Sequence, residues 1–431
     1  MTSAIASAPF VADAPPPRHA THPVLFLAMF IPFGVVPGYL TVALAYQLSK
    51  QGVSTSDIAW VVALSYVAQF GKVLWAPLVD TLLTRKIWYV ASAFLCGAGM
   101  VLAGREAMSA HVSLNVLSAW LMIANFATTF LAMSIEGLMA STVPDELRGR
   151  ASGWAQAGNL GGQGIGGGLG LWLMQGAGMS SVGSGTVLGV VCMLCCLALL
   201  WVDGSRALLK VDGHVEAAGH LGFVANARAI TTDLWAMLRS RLGILALFVC
   251  ILPIGSGAAQ NFWSPIAGEW QASANVVALV NGALGGVISA LGCIVGGWVC
   301  DRIDRKTAYC LFGFGLVLAA IGMAFCPRTS VQFIAWTSFY AFVIGLCYAG
   351  YSAVVLEAVG RTAAATKFSL LSGLSNIPIS VMTLVDGAGN ERWGTRGLLL
   401  TEAVIGVAAI VVFAVVAGAT KRRVDDTPLV A

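Results

Sequence analysis

Between residues 24 and 419 this chain is a succession of twelve apolar stretches, with nearly all of its charge confined to the connections between them. A stretch of about 20 apolar residues, rising 1.5 Å per residue, covers the roughly 30 Å hydrocarbon core of a bilayer as one helix. The stretches run at approximately 24–48, 58–80, 87–104, 112–140, 151–175, 180–202, 241–266, 275–300, 307–326, 331–357, 366–388 and 397–419. They are numbered here as spans 1 to 12. Composition agrees, because 10% charged residues against about 25% in a soluble chain cannot coat a water-facing surface of this size. The soluble-enzyme classes are thereby excluded. The formal net charge of +4 is scattered, and no basic run exceeds Lys421, Arg422 and Arg423, so a nucleic-acid surface is excluded as well.

The ten cysteines lie mostly inside apolar runs, Cys192, Cys195 and Cys196 among them, and read as small hydrophobes rather than ligands. All five histidines fall in tails or loops, leaving no imidazole for an intramembrane metal or haem. No cofactor and no metal is expected, and no nucleophile, base and metal constellation points to an enzyme. Residues 1–23, rich in Ala, Ser and Pro and without a leading basic residue, read as a disordered tail and not a cleaved signal peptide.

Of the 24 Lys and Arg residues, 18 fall in the tails, in the even-to-odd connections or within the first two residues of the span that follows. Five (Lys50, Arg105, Arg328, Arg392, Arg396) lie opposite, and Lys72 lies inside span 2. By the positive-inside rule both termini and the 203–240 connection are cytoplasmic. In that connection Phe223, Ala227, Ile230, Leu234 and Leu238 recur at helical spacing, predicting an amphipathic helix on the bilayer surface. The expected organisation is a tail at 1–23, a six-helix bundle at 24–202, a linker at 203–240, a second bundle at 241–419 and a tail at 420–431.

Two halves are related by an internal repeat. Ile31-Pro32-Phe33-Gly34 in span 1 returns as Leu252-Pro253-Ile254-Gly255 in span 7, 221 residues later. Asp80 maps to Asp301 and Glu136 to Glu357 at the same offset, while Arg85-Lys86 maps to Arg305-Lys306 and Ser152-Gly153 to Ser372-Gly373 one residue sooner. Parallel duplication of six helices is the architecture of major facilitator transporters, whose substrate site lies near the midplane between the halves.

The ends of spans 2 and 8 read Ala76-x3-Asp80-x4-Arg85-Lys86 and Gly297-x3-Asp301-Arg302-x2-Arg305-Lys306. They resemble the cytoplasmic signature of the major facilitator superfamily. An aspartate at a helix end beside a basic turn can bond neighbouring helix termini and hold that side shut until the halves rock. Asp304 stands where the usual glycine would be in the second copy. Lys72-x-Leu74-Trp75-Ala76-Pro77-Leu78-x-Asp80, Glu136 with Val143-Pro144-Asp145-Glu146-Leu147-Arg148-Gly149, and Ala365-Thr366-Lys367-Phe368-Ser369-Leu370-Leu371-Ser372 are similar to the muropeptide permease (AmpG-like) and acetyl-CoA transporter group of that superfamily. Glu136 replaces the group's usual aspartate and Lys367 a usual glutamine. The resemblance implies an all-α fold of twelve transmembrane helices, alternating access, and proton-driven uptake of anhydro-muropeptides; relatives carry siderophores or acetyl-CoA.

Each ionisable group inside the bilayer is a functional candidate, because burying its charge is costly. Lys72 lies eight residues, roughly 12 Å of helix, from Asp80 and should face a cavity or a partner. Its repeat mate is the neutral Cys293, so it suits an asymmetric task such as anion binding or ion coupling. Glu136 falls at about the same depth, open to a coupling role with Lys72 or to a gate role. Glu357, with Arg361 one helical turn on, is expected at the cytoplasmic gate together with Asp80, Arg85, Lys86, Asp301, Arg302, Arg305 and Lys306. Candidates for the cavity wall are Tyr39, Tyr46, Gln69, Asn125, Gln156, Asn159, Gln163, Gln260, Asn261, Asn281, Tyr348, Tyr351 and Asn376. Asp386 reads as an interfacial carboxylate. The glycine-rich run at 158–170 offers close helix approach rather than a nucleotide fingerprint, since no strand precedes it. The expected protein is a bacterial inner-membrane transporter, functional as a monomer, whose partners are a polar solute, protons and lipid.

Overall fold

The computed structural model describes residues 21–53, 57, 60–61, 67–109, 111–202, 208–211, 214–217, 223–281 and 283–425, without the side chains of Ser49, Val67, Phe70, 203–227, Ser264, Pro265, Ala274, Asn275, Ala278, Asn281, Ala283 and 419–425. Residues 1–20 of the expected first tail, the 426–431 end of the second and parts of span 2 and of the linker therefore lie outside the described residues.

Among the described residues seven helices are long and apolar enough to cross a membrane: Leu25–Leu48, Arg85–Glu106, Leu114–Thr142, Ser181–Trp201, Arg305–Phe325, Ser330–Val359 and Ala364–Gly418. The last carries spans 11 and 12, which reverse at Gly394, where φ is 66° and only glycine is unstrained. Spans 2, 5 and 7 are built in pieces, each break falling at glycine or proline. Span 2 contains the 3-10 turn Lys72–Leu74 between Gly71 and the short helix Ala76–Thr81, which Pro77 starts. Span 5 runs through Arg148–Gly164, the π-turn Ile165–Leu169 and Gly170–Gln175. Span 8 combines Ala274–Asn281 with Ala283–Cys300.

Span 7, expected as one helix to 266, ends at Ile251 and resumes at Ala258–Phe262 after Pro253, Gly255 and Gly257, the last at φ 63°. Its repeat mate does not break. The helix Leu25–Gly38 runs on through Pro32 and Pro37, and the lost hydrogen bonds surface as the π-turn Tyr39–Leu44. The difference is one further glycine in span 7: Gly257, at φ 63°, makes the broken backbone cheap where its repeat mate Val36 keeps a helix.

The 203–240 connection contains the helix Phe223–Arg239, as its periodicity predicts, and an antiparallel pair of strands, Leu208–Val211 and His214–Ala217, that it does not. Ile230 and Met237 are buried on that helix while Arg228, Trp235 and Arg239 are exposed. Ser240 then caps Arg241–Ile251, accepting from the Gly243 N–H at 2.9 Å, and the chain turns by 80° into span 7.

Outward-facing apolar side chains such as Leu74, Leu200, Val331 and Leu384 are more than 70% exposed, as a lipid-facing belt requires. Each half has its own apolar core. A third core joins the halves at the end carrying most of the basic residues, where Phe26, Tyr89, Leu131 and Ala140 pack with Val355, Leu356, Phe368 and Leu371.

Candidate functional site

A cavity of about 360 Å³ lies between the two halves. From the first half come Phe30, Phe33, Pro37, Gln69, Lys72, Asn125, Glu136, Gln156, Asn159 and Gln163. The second half supplies a wall that is mainly aromatic and apolar, with Val249, Cys250, Tyr309, Tyr348, Tyr351, Phe368 and Ile379, relieved by Ser256, Ser372, Ser375 and Asn376.

Lys72 reaches this cavity because the helix around it is broken. Gly71 admits the tight turn, and Trp75 anchors it on span 4 by donating its indole N–H to Thr129 at 2.9 Å and packing on Phe126 at 4.8 Å. Lys72 and Glu136 are both about 95% buried and act on each other electrostatically without closing an ion pair. Glu136 Oε2 and Asn125 Oδ1 have no hydrogen-bond partner. Gln69 donates to Thr128 at 3.0 Å, Asn159 to Gln156 at 3.1 Å and Gln163 to Asn159 at 3.4 Å, which fixes the polar wall in one arrangement. A buried ammonium, a carboxylate with a free oxygen and oriented amides can together bind an anionic, hydrogen-bonding solute or exchange a proton.

Below the cavity, the basic end is shut by two related contacts. Asp80 accepts from the Thr366 N–H at 3.0 Å and hydroxyl at 2.9 Å, at the start of the helix Ala364–Leu374 in the opposite half. Asp301 accepts from the Gly149 and Arg150 N–H groups at 2.8 and 3.1 Å, at the start of Arg148–Gly164, and pairs with the Arg150 guanidinium at 2.7 Å. Each aspartate thus caps a helix N-terminus across the interface, where backbone donors and the helix dipole favour negative charge. Glycines permit the approach: a Cβ on Gly153 would come within 2.8 Å of the Gly297 Cα.

The basic partners diverge between the copies. Arg85 is fully buried, pairs with Asp80 at 3.3 Å, and donates to the Gly137 carbonyl at 2.8 Å and to Ser141 at 3.1 Å. Arg305 and Lys306 instead bind Glu357 at 3.2 and 3.0 Å, and Arg305 also donates to the Asp145 carbonyl across the interface. Arg361, past the Gly360 turn, acts with Arg305 and Glu357 on Arg148.

Several candidates are placed elsewhere. Tyr39 is sealed inside the first half, donating to the Ser181 carbonyl at 2.7 Å and filling the space that a side chain on Gly104, Gly170 or Gly185 would take. Tyr46 sits under Lys50, 4.9 Å from its ring centroid. The break in span 7 turns Gln260 and Asn261 outward, where Asn261 donates to Thr383 at 3.0 Å. Lys86 caps the Leu199 carbonyl at 3.0 Å, and Arg302 stacks on Trp298 of its own helix at 3.3 Å, so neither bridges the halves. Reading the residues one by one also missed Lys367 as a clamp. Its ammonium binds Asp233 of the linker helix at 2.8 Å, and Thr362 donates to the same carboxylate at 2.6 Å. The departure from a glutamine at Lys367, together with Asp233 as the one acid of the helix Phe223–Arg239, was the available signal.

The fold recurs in solved transporters. The E. coli fucose:proton symporter FucP superposes with a TM-score of 0.67 at 17% identity, covering 91% of this chain and 97% of that one. The human organic anion transporter MFSD10 (TETRAN) gives 0.64 at 14%, covering 90% and 98%. A bacterial homologue of the iron transporter ferroportin, in an outward-facing state, gives 0.65 at 13%, covering 92% and 98%. No curated protein matches the sequence significantly. The sequence profile of the Major Facilitator Superfamily matches residues 23–382, and the chain belongs to that superfamily of membrane transporters.

Proposed function

We propose that the protein is a proton-coupled symporter that moves a polar, anionic solute of the muropeptide class across a bacterial inner membrane. The observation that carries this reading is the pair Lys72 and Glu136, buried together in the cavity between the halves. With Glu136 ionised, its field holds the Lys72 ammonium. A proton on Glu136 removes that field and leaves the ammonium to an anionic cargo, so that cargo and proton bind together. The lining is lopsided, with the charge and most of the amides on one wall and most of the aromatic rings on the other. That fits a solute with an acidic or sugar face and an apolar face, as an N-acylated sugar peptide has. A fucose:proton symporter and an organic anion transporter share the fold. Siderophores and acyl-CoA thioesters are the alternative cargoes, and a non-transporting receptor is the alternative class.

In this reading the basic end is cytoplasmic, both termini lie there, and the 24–202 and 241–419 bundles rock as units about the 203–240 linker in a single protomer. The Asp80 and Asp301 contacts then describe a state closed to the cytoplasm. The test is proton flux into proteoliposomes loaded with a pH-sensitive dye, on adding in turn an anhydro-muropeptide, a ferric siderophore and an acyl-CoA. Acidification with the muropeptide is the expected result. Acidification only with one of the others replaces the cargo. Cargo exchange without acidification overturns proton coupling, and no movement of any cargo favours the receptor.

A further inference from the structure

Asp386 and Glu402 belong to neither the cavity nor the closed end. Asp386 precedes Gly394 by eight residues and Glu402 follows it by eight, so on the two helices that reverse there both lie roughly 12 Å from the turn. Asp386 was expected at the membrane interface. It is instead fully buried, and neither of its carboxylate oxygens has a partner. Glu402 is 6% exposed. One of its oxygens accepts the Tyr340 hydroxyl at 2.5 Å, and the Ala258 and Ala259 N–H groups, where span 7 resumes after its break, act on the carboxylate electrostatically. Its other oxygen is unpartnered.

Among the described residues the surroundings supply no compensating cation. Glu402 is the charged group that acts on Asp386. Span 10 presents Tyr340 and Cys347 to the pair. Span 7 presents backbone N–H groups and Trp263, whose ring meets Tyr340 edge-on at 5.1 Å. Span 9, at this level, presents Val317 and Ala320. Two carboxylates in an apolar site with one set of donors between them cannot both be ionised at acceptable cost. Three carboxylate oxygens are left over, short of the six to eight that calcium takes, and no group of three His, Cys, Asp or Glu that could hold a metal occurs among the described residues. A proton satisfies the site.

We infer that Asp386 and Glu402 form a second proton-binding site, in the half that lacks Lys72 and Glu136, and that its proton governs how the broken stretch of span 7 docks on spans 11 and 12. That stretch is shared: Gly255 and Ser256 line the cavity, and the Ala258 and Ala259 N–H groups act on Glu402. Span 11 is shared as well, with Asn376 and Ile379 on the cavity and Asp386 two turns beyond. A change of charge at the pair therefore displaces two walls of the cavity. Proton binding stands independently of the transport reading; only its use in a transport cycle rests on it.

The test needs no cargo. Infrared spectra of the full-length protein in liposomes are recorded against pH, in H2O and D2O, in a Glu136→Gln background that removes the first candidate site. A protonated-carboxyl C=O band that shifts in D2O and falls on alkaline titration is expected, and it should be lost on adding Asp386→Asn and Glu402→Gln together. These near-isosteric variants are checked for an unchanged amide band and a monodisperse elution. If the variants do not fold, the background protein alone decides, by whether its band exchanges and titrates. A band that does neither, or that survives the double substitution, overturns the inference. So does displacement of the band by sodium at constant pH, which would make the site one for a metal cation.

Discussion

Glu136 and Glu357 occupy the same place in the repeat and have opposite surroundings: one borders the cavity with a free oxygen, the other is held by Arg305 and Lys306. The divergence traces to Arg85, which turns to Asp80 and the Gly137 carbonyl and leaves Glu136 to Lys72. Lys72→Ala should therefore insert normally and lose a charge-assisted contact of about 1.5–3 kcal/mol, roughly 10- to 100-fold in apparent cargo affinity. Lys72→Arg should also fail, because a planar fork does not replace a compact ammonium in a site fixed by neighbouring amides. Uptake of an anhydro-muropeptide into proteoliposomes reads both, and wild-type uptake by Lys72→Ala would refute the role. Glu136→Gln should keep cargo exchange between equal concentrations while losing accumulation driven by a pH gradient. Lys72 and Glu136 were legible as candidates because charge inside an apolar stretch has no cheap explanation. The opposite fates of Glu136 and Glu357 were not, since they depend on which way an arginine 50 or so residues earlier in each copy turns.

Helices in this chain are told apart by where glycine and polar caps fall. A Cβ on Gly158, Gly162 or Gly166 would strike the carbonyl oxygen of Leu27, Ile31 or Val35, one turn apart along span 1, whereas one on Gly161 meets nothing within 4 Å. Gly162→Val should then force spans 1 and 5 apart and destabilise by several kcal/mol, in the range of severe core overpacking. Gly161→Ala should be neutral or stabilising by up to about 1 kcal/mol, from helix propensity. Thermal unfolding in detergent separates them, and equal effects would show that the glycine face does not set the contact. Asp304, in the place of a usual glycine, caps Arg305–Phe325 by accepting from the Thr307 N–H at 3.0 Å and hydroxyl at 3.1 Å. Partial burial works to raise its carboxyl, but the Thr307 N–H and the Lys306 charge outweigh it and hold it below the usual carboxylate range. With the folded value lowered, the cap's ionic contribution is full above the unfolded value and is lost as pH falls through the folded one. Asp304→Ala should cost about 1 kcal/mol at neutral pH and less in acid, and Asp304→Asn should keep the cap while removing that pH dependence. The glycine face was readable as a periodicity. The break in span 7 was not, because Pro32 and Pro253 are equivalent in sequence and only Gly257 at φ 63° decides the second.

At the scale of the whole molecule, duplication makes the closed end nearly symmetric in design and unequal in strength. Asp80 and Asp301 each cap a helix of the other half; their repeat is legible in the sequence, whereas the mutual capping is a property of the fold. Asp80 is sealed with Arg85, both side chains fully buried, whereas Asp301 pairs with an Arg150 that is 47% exposed. Removing one member of a buried pair costs about 3–5 kcal/mol, because the remaining charge stays desolvated, while an exposed pair contributes about 1 kcal/mol or less. The cost applies only while the end is closed, since rocking the halves apart hydrates Arg85. Asp80→Asn should accordingly shift the closed-to-open ratio by about two to three powers of ten, and Asp301→Asn by only a few-fold. Spin labels at Glu146 and Arg302, both exposed and on opposite halves at that end, report the change as a second, longer distance population. It should dominate in Asp80→Asn and stay minor in Asp301→Asn. Equal populations in the two variants would mean that the apolar core of Phe26, Leu131, Val355 and Phe368, not the capped helices, decides when this end opens.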